Sequence, residues 1–181
     1  CCGPCAAGSI PQFIAAGHQP FGWFYNPNIH PFQEHKARRL AFVELMEQLN
    51  LAYEVDAAYP LEEWLGEVAA APAERCAYCY RSRLDKAAQA AAHRGFAAYS
   101  TTLLISPYQK HDLIRQIGQE CGQHHGVKFL YLDLRSGFRA GQDEARARGL
   151  YMQKYCGCIY SEKERYVKKR RPSAADKKTK G

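Results

Sequence analysis

At 181 residues the chain has room for one domain with a substantial core, while two domains would each be small. Its 46% apolar and 24% charged residues are ordinary for a globular protein, no run approaches bilayer-spanning length and nothing reads as a signal peptide, so a cytoplasmic protein without membrane contact is expected. The net charge of +7 is local: from Lys163 onward nine basic residues meet two acidic ones, and the rest of the chain holds 16 of each. We therefore read residues 1–162 as a single α/β domain and 163–181 as a basic, disordered tail. That tail is either a solvated end or a salt-dependent contact to nucleic-acid phosphates.

The opening "CCGPC" leads into a helix over 4–16 that Gly17 should end. "FGWFYN" (21–26) suits a buried strand, and "NPNIHP" is a proline-punctuated loop. The next segment carries Leu40, Val43, Met46 and Leu49 at helical spacing, followed by a strand over 51–56 and a short helix in "LEEWLGEVAA". "CAYCYRSRLDKAAQAAAHRG" (76–95) is an alanine-rich helix stopped by Gly95. A strand is expected over 96–106, a helix in "HDLIRQIGQECGQHHG", a strand in "VKFLYLDL" and a last helix containing "DEARARGLYMQ". Alternation with short connections predicts an α/β fold with a mainly parallel sheet flanked by helices. In such sheets the loops after the strands share one rim, where ligands bind. "NPNIHP", "SPYQKH" and "DLRSGFR" should meet there. If a strand precedes Cys1, "CCGPC" becomes the first strand-to-helix turn on the same rim. A full-length product whose mass begins at Cys1, and which is still folded, would refute that strand.

The eight cysteines do not resemble the framework of a small secreted domain. Cys1-Cys2, Cys76-x-x-Cys79 and Cys156-Gly157-Cys158 are too closely spaced to staple a fold. At a helix start, Cys76 and Cys79 face one point among amide donors and Arg75, Arg81 and Arg83. A lone CxxC is a metal ligand pair, a redox dithiol or a coincidence; beside a vicinal pair, metal is favoured. Four thiolates suit zinc or an iron–sulfur cluster equally. A disulfide across Gly157 would close a strained, labile ring, so that pair reads as a switchable dithiol, with metal ligation the alternative. Cys121 reads as a small core or surface thiol. His30 lies on the expected rim as a candidate for proton transfer, with a structural histidine the plainer reading. Asp133, Arg135 and Arg139 follow a strand and suit a phosphate or ribose, or simply a solvated loop. No GxGxxG, Walker lysine loop or GxSxG elbow occurs.

Taken in order, "CCGPC", "FYNPNIHP", "CAYCYRSRL", "STTLLISPYQKH", "KFLYLDLRSGFR" and "YMQKYCGCIYSE" closely resemble the epoxyqueuosine reductase QueH family from Cys1 to about Glu162. The resemblance implies a Rossmann-like (HUP-type) fold and reduction of epoxyqueuosine to queuosine and water at the wobble position of tRNA. It also implies a 4Fe–4S cluster on Cys1, Cys2, Cys76 and Cys79, with Cys156 and Cys158 as the redox-active pair. Cys5 falls on the family motif too, and would ligate an additional iron or exchange with a cluster ligand. The partners implied are tRNA carrying epoxyqueuosine and an external electron donor, with Tyr25 or Tyr108 stacking on an extruded base. No SGGxDS loop is present, so ATP activation is not expected. The alternative is a zinc-stabilised tRNA-binding or tRNA-thiolating α/β protein.

Overall fold

A computed structural model describes residues 2–167. Along the chain run α1 (Gly3–Ala15), β1 (Gly22–Phe24), α2 (Phe32–Gln48), β2 (Tyr53–Val55), α3 (Leu61–Ala69), α4 (Arg75–His93), β3 (Ala98–Tyr99), α5 (His111–His125), β4 (Lys128–Phe129), α6 (Phe138–Ala147) and α7 (Ile159–Tyr166). Short 3₁₀ turns lie at Thr102–Ile105 and Arg135–Gly137. The α/β class and the parallel strand direction are as expected. Among the described residues, however, the strands form two separate parallel pairs, β1 with β2 and β3 with β4.

The two pairs present free edges. Gly22 N–H donates to Ala52 O and Asp56 N–H donates to Phe24 O, which by alternation turns the amide and carbonyl of Trp23 away from β2. Leu130 N–H donates to Tyr99 O, turning Ala98 and Ser100 away from β4 in the same manner. Trp23, Ala98 and Ser100 all border one cavity of about 530 Å³, roofed by apolar side chains of α1 (Ile10, Phe13) and α4 (Leu84, Ala87, Ala91).

Two cores flank that cavity. One joins α1, α2, β1 and α6 through Ala6, Ile10, Phe24, Leu45, Met46 and Ala145. The other joins α4, α5 and the second strand pair, and contains Cys2, Cys5 and Cys121. Each fully buried leucine or methionine contributes about 1.5–3 kcal/mol. Between α1 and α6 the backbones touch: a Cβ on Gly8 would lie 2.6 Å from Gly137 O and 3.0 Å from Gly141 Cα.

Several expected boundaries shift. The inward face of α2 is His35, Arg38, Ala41, Phe42, Leu45 and Met46, whereas Leu40 is 53% exposed, because the buried stripe falls one position off the spacing expected. The strand expected over 96–106 ends at Tyr99, since Thr101 Oγ1 accepts from Leu103 N–H at 3.2 Å and opens the 3₁₀ turn. The "VKFLYLDL" strand keeps only Lys128–Phe129 as ladder. The helix expected around "DEARARGLYMQ" begins earlier, at Phe138, and stops at Ala147, and α7 follows it. α7 carries regular structure through Tyr166, within the segment expected as a tail, and 168–181 lie outside the described residues. No helix among the described residues is long and apolar enough to cross a membrane.

Candidate thiol centre and its rim

α1 opens with Cys2 in extended conformation at the N-cap and Pro4 in the first turn, where a missing amide hydrogen is harmless. Cys2 and Cys5 share a hydrogen bond. Burial opposes the Cys2 thiolate, but the hydrogen bond from the Cys5 thiol, together with nearby positive charge that includes Arg38, lowers its pKa below the ordinary thiol value. The same bond, reinforced by burial, pushes the Cys5 thiol well up. Gln153 Nε2 stands 3.8 Å from Cys5 Sγ.

Cys76 lies in the first turn of α4 and Cys79 at the start of the second, near the helix start as expected. Burial pushes the Cys79 thiol up to about 12, against the counter-pull of Arg83, which hydrogen-bonds it one turn further on. The Cys156 and Cys158 sulfurs are close enough to add to that shift. α4 therefore presents its CxxC to the CxC segment.

Cys156-Gly157-Cys158 has no regular structure and sits between two rim loops. On one side His30 N–H donates to Gly157 O at 2.9 Å. On the other, Gln109 Nε2 stands 3.4 Å from Cys156 Sγ and Gln109 accepts from the Tyr80 hydroxyl at 2.7 Å. The two thiols are unequal: Cys156 is exposed, whereas Cys158 is buried beside Trp64 and Val68 and hydrogen-bonded to Arg75. Arg75 is held in turn by Glu164 at 2.6 Å and lies over the Tyr160 ring. All seven described cysteines are free thiols.

Other expected site residues divide. Tyr108 is 83% exposed next to Gln109, with its edge against Phe138 at 6.0 Å. Arg135 is exposed but already paired with Asp133, whose carboxyl its hydrogen bonds hold down to about 2. Arg139 is exposed on α6. Tyr25 is half-buried, stacked on Trp23 at 5.4 Å, and borders the cavity between the strand pairs. His30 requires a correction: it is 1% exposed, packed 4.8 Å from the Trp64 ring, and burial lowers its pKa to about 4. It is enclosed beside Trp64 with its proton affinity lowered, and so is not exposed on the rim as expected. Cys1 lies outside the described residues, and among those described no three His, Cys, Asp or Glu side chains are grouped to hold a metal ion.

Arg38, Asn26 and Asn28 were not anticipated as part of this region. Arg38 is completely buried and reaches the CxC segment from α2; Asn26 and Asn28 are buried in the loop after β1, with the Asn28 side chain next to Gly157. The signal for Arg38 was its position in the inward stripe of α2, between His35 and Phe42.

An exposed Cys156 and a buried Cys158, both free, thus lie beside the CxxC at the start of α4. A family model described as epoxyqueuosine reductase QueH matches residues 1–164. The chain is 35% identical over 173 residues, 96% of its length and 95% of the relative's, to the epoxyqueuosine reductase QueH of Dehalococcoides mccartyi. To that of Thermotoga maritima it is 35% identical over 159 residues, 81% of each chain. To that of Haemophilus influenzae it is 28% identical over 170 residues, 89% of this chain and 69% of the relative. The chain belongs to the epoxyqueuosine reductase QueH family, a family of oxidoreductases.

Proposed function

We propose that this protein reduces epoxyqueuosine in tRNA to queuosine, with Cys156 and Cys158 as the two-electron reductant next to the substrate. The observation that supports this most is the placement of an exposed Cys156 and a buried Cys158 at the strand-end rim, electrostatically coupled to Cys79. Electrons and atoms balance. Converting the epoxide to an alkene and water takes two electrons and two protons. Oxidation of two thiols to a disulfide releases two of each. The sum is epoxide plus dithiol giving alkene, disulfide and water, after which an external donor must return two electrons to the pair.

The donor set fits a thiolate-ligated metal group in its residue types: Cys2 is drawn toward thiolate, and Cys76 and Cys79 open α4, although burial keeps the Cys79 thiol protonated and a bound cation would have to displace that proton. Cys1, Cys2, Cys76 and Cys79 would hold a 4Fe–4S cluster, with Cys5, hydrogen-bonded to Cys2, the candidate for an additional iron. Bound there, a cluster would supply single-electron transfer to match a one-electron donor to a two-electron demand. Tyr108 would offer an exposed ring for stacking an extruded base, worth about 1–3 kcal/mol. Arg139, and Arg135 with its Asp133 partner, would meet the RNA backbone and ribose hydroxyls.

For the fold, we read the two strand pairs as halves of one Rossmann-like, HUP-type sheet. Support comes from the two free edges on either side of a strand-sized apolar cavity. A strand leading into Cys1-Cys2 and α1 would fill that cavity parallel to β1 and β3. The order would then reverse beside "CCGPC", the position where such sheets bind ligands.

The test is iron, zinc and sulfide content with a visible spectrum on anaerobically purified protein, followed by turnover of epoxyqueuosine-containing tRNA with a low-potential reductant. About four irons and four sulfides per chain with queuosine formation are expected. Zinc without sulfide, persisting after reconstitution with iron and sulfide, would overturn the reductase mechanism and leave a zinc-stabilised tRNA-binding or tRNA-thiolating protein.

A further inference from the structure

Arg38 belongs to no thiol motif, yet its guanidinium ends on the CxC segment. Its side chain is fully buried, and a buried cation is retained only where its donors are well met. Nε donates to Glu34 Oε1 at 2.7 Å, which compensates the charge. Nη1 donates to Cys156 O at 2.7 Å and Nη2 to Tyr155 O at 2.9 Å, while the fork lies 5.3 Å from the centre of the Tyr155 ring. A tie between α2 and the last segment would need one such bond. This fork takes two successive carbonyls, the second belonging to the first thiol residue.

The neighbouring main-chain groups are held as well. His30 N–H binds Gly157 O at 2.9 Å, the Ser161 hydroxyl donates to Cys158 O at 2.7 Å, and Gly157 N–H donates to Ser161 Oγ at 3.1 Å. Every carbonyl from Tyr155 to Cys158 thus has a fixed donor, in a conformation where both sulfurs are free thiols. Closing a disulfide across one residue demands a particular backbone geometry. A backbone pinned for the dithiol resists that closure and makes the disulfide a stronger oxidant, readily reduced again.

We infer that Arg38 is a positioning residue for the Cys156–Cys158 pair, its buried fork clamping the main chain at Cys156 and biasing the thiol–disulfide equilibrium toward the dithiol. The inference rests on the redox role proposed above for that pair.

The experiment is a glutathione redox titration of the full chain under anaerobic conditions, with alkylation and mass spectrometry of the peptide carrying both cysteines. The reaction followed is two thiols plus glutathione disulfide giving the protein disulfide and two glutathiones. Arg38→Met keeps the aliphatic stem and removes the fork; its oxidation constant should rise at least tenfold, about 30 mV for a two-electron couple. Arg38→Lys, able to meet one carbonyl, should fall between parent and Arg38→Met. Ser161→Ala, which releases the other end of the segment without emptying a buried charge site, should shift the constant in the same direction and serves if Arg38→Met does not fold. Constants within twofold of the parent in the folded variants would overturn the inference while leaving the dithiol role intact. A parent that forms no Cys156–Cys158 disulfide at any glutathione ratio would overturn both.

Discussion

α1 and the 155–158 segment both carry a close pair of thiols, and the two are held by opposite means. Cys2 and Cys5 are placed by a helix, one at its cap and one a turn inside, and that helix is pressed backbone to backbone against α6 at Gly8 and Gly141. Cys156 and Cys158 have no regular structure around them; side chains and loop amides distant in sequence fix their main chain carbonyl by carbonyl. A helix cap holds sulfurs in one place, which suits ligands. A turn whose carbonyls are held from outside keeps its sulfurs as a thiol pair, which suits the role proposed for it.

The contrast is broken most completely at the sulfurs of the turn. Cys156→Ser should reduce multiple turnover of epoxyqueuosine-tRNA to the level without enzyme, while iron content stays that of the parent; retained turnover would remove the dithiol from the mechanism. On the helix side, Gly8→Ala should cost about 3 kcal/mol in urea unfolding, since the added Cβ meets Gly137 O at 2.6 Å and Ile105 Cδ1 at 2.4 Å, and backbone cannot swing aside. A loss under 1 kcal/mol would mean that α1 and α6 separate easily and the cap is not rigidly backed.

The loop beneath the turn supplies a pH test. His30 takes up a proton near 6.5 when unfolded and only near 4 when folded. Its contribution is therefore complete above pH 6.5 and is lost as the pH falls toward 4. Between pH 7.5 and 5 the protein should lose about 2 kcal/mol from this residue, followed by tryptophan fluorescence since Trp64 packs on the ring. His30→Phe should remove most of that dependence; an unchanged acid profile would show that His30 is hydrated in the folded state.

Two smaller effects sharpen the picture of the turn. Gly157 has φ of 158°, and a Cβ there would stand 3.2 Å from Asn28 Nδ2 and 3.3 Å from Ile29 Cγ1. Gly157→Ala should cost about 1–2 kcal/mol and distort the thiol pair, whereas the parent's stability in that variant would indicate a looser segment than described. Tyr108→Leu should raise KM for tRNA about tenfold, with kcat little changed, as expected for loss of one stacked base. A fall in kcat at constant KM would instead place Tyr108 in the positioning of the reacting ring.

What could be read from the residues follows the same division. The helix starts carrying Cys2 and Cys76-x-x-Cys79 were legible because local signals, a proline in the first turn and an alanine-rich run, decide them. The rim was legible as a set of loops, but which side chains face outward was not. His30 lies between two prolines in a polar loop, and only the packing of Trp64 and Tyr59 around it turns it inward. Arg38 illustrates the reverse error: a charge on a helix is usually solvated, and its burial depends on carbonyls more than a hundred residues away. The strand lengths were overestimated where Thr101 redirects the chain, although Ser100-Thr101-Thr102 carried the side-chain oxygens that make such a turn.

The glycine contact between α1 and α6 has a consequence for scale. Gly137 and Gly141 flank Arg139, and Gly8 follows Cys5 in α1, so the segment that carries the arginine meets the thiol-bearing helix backbone to backbone. The spacing between α1 and the segment that carries Arg139 is then gauged by main-chain thickness. The molecule acts there as a caliper with a fixed jaw, and lengthening a side chain at either glycine would reset its gap.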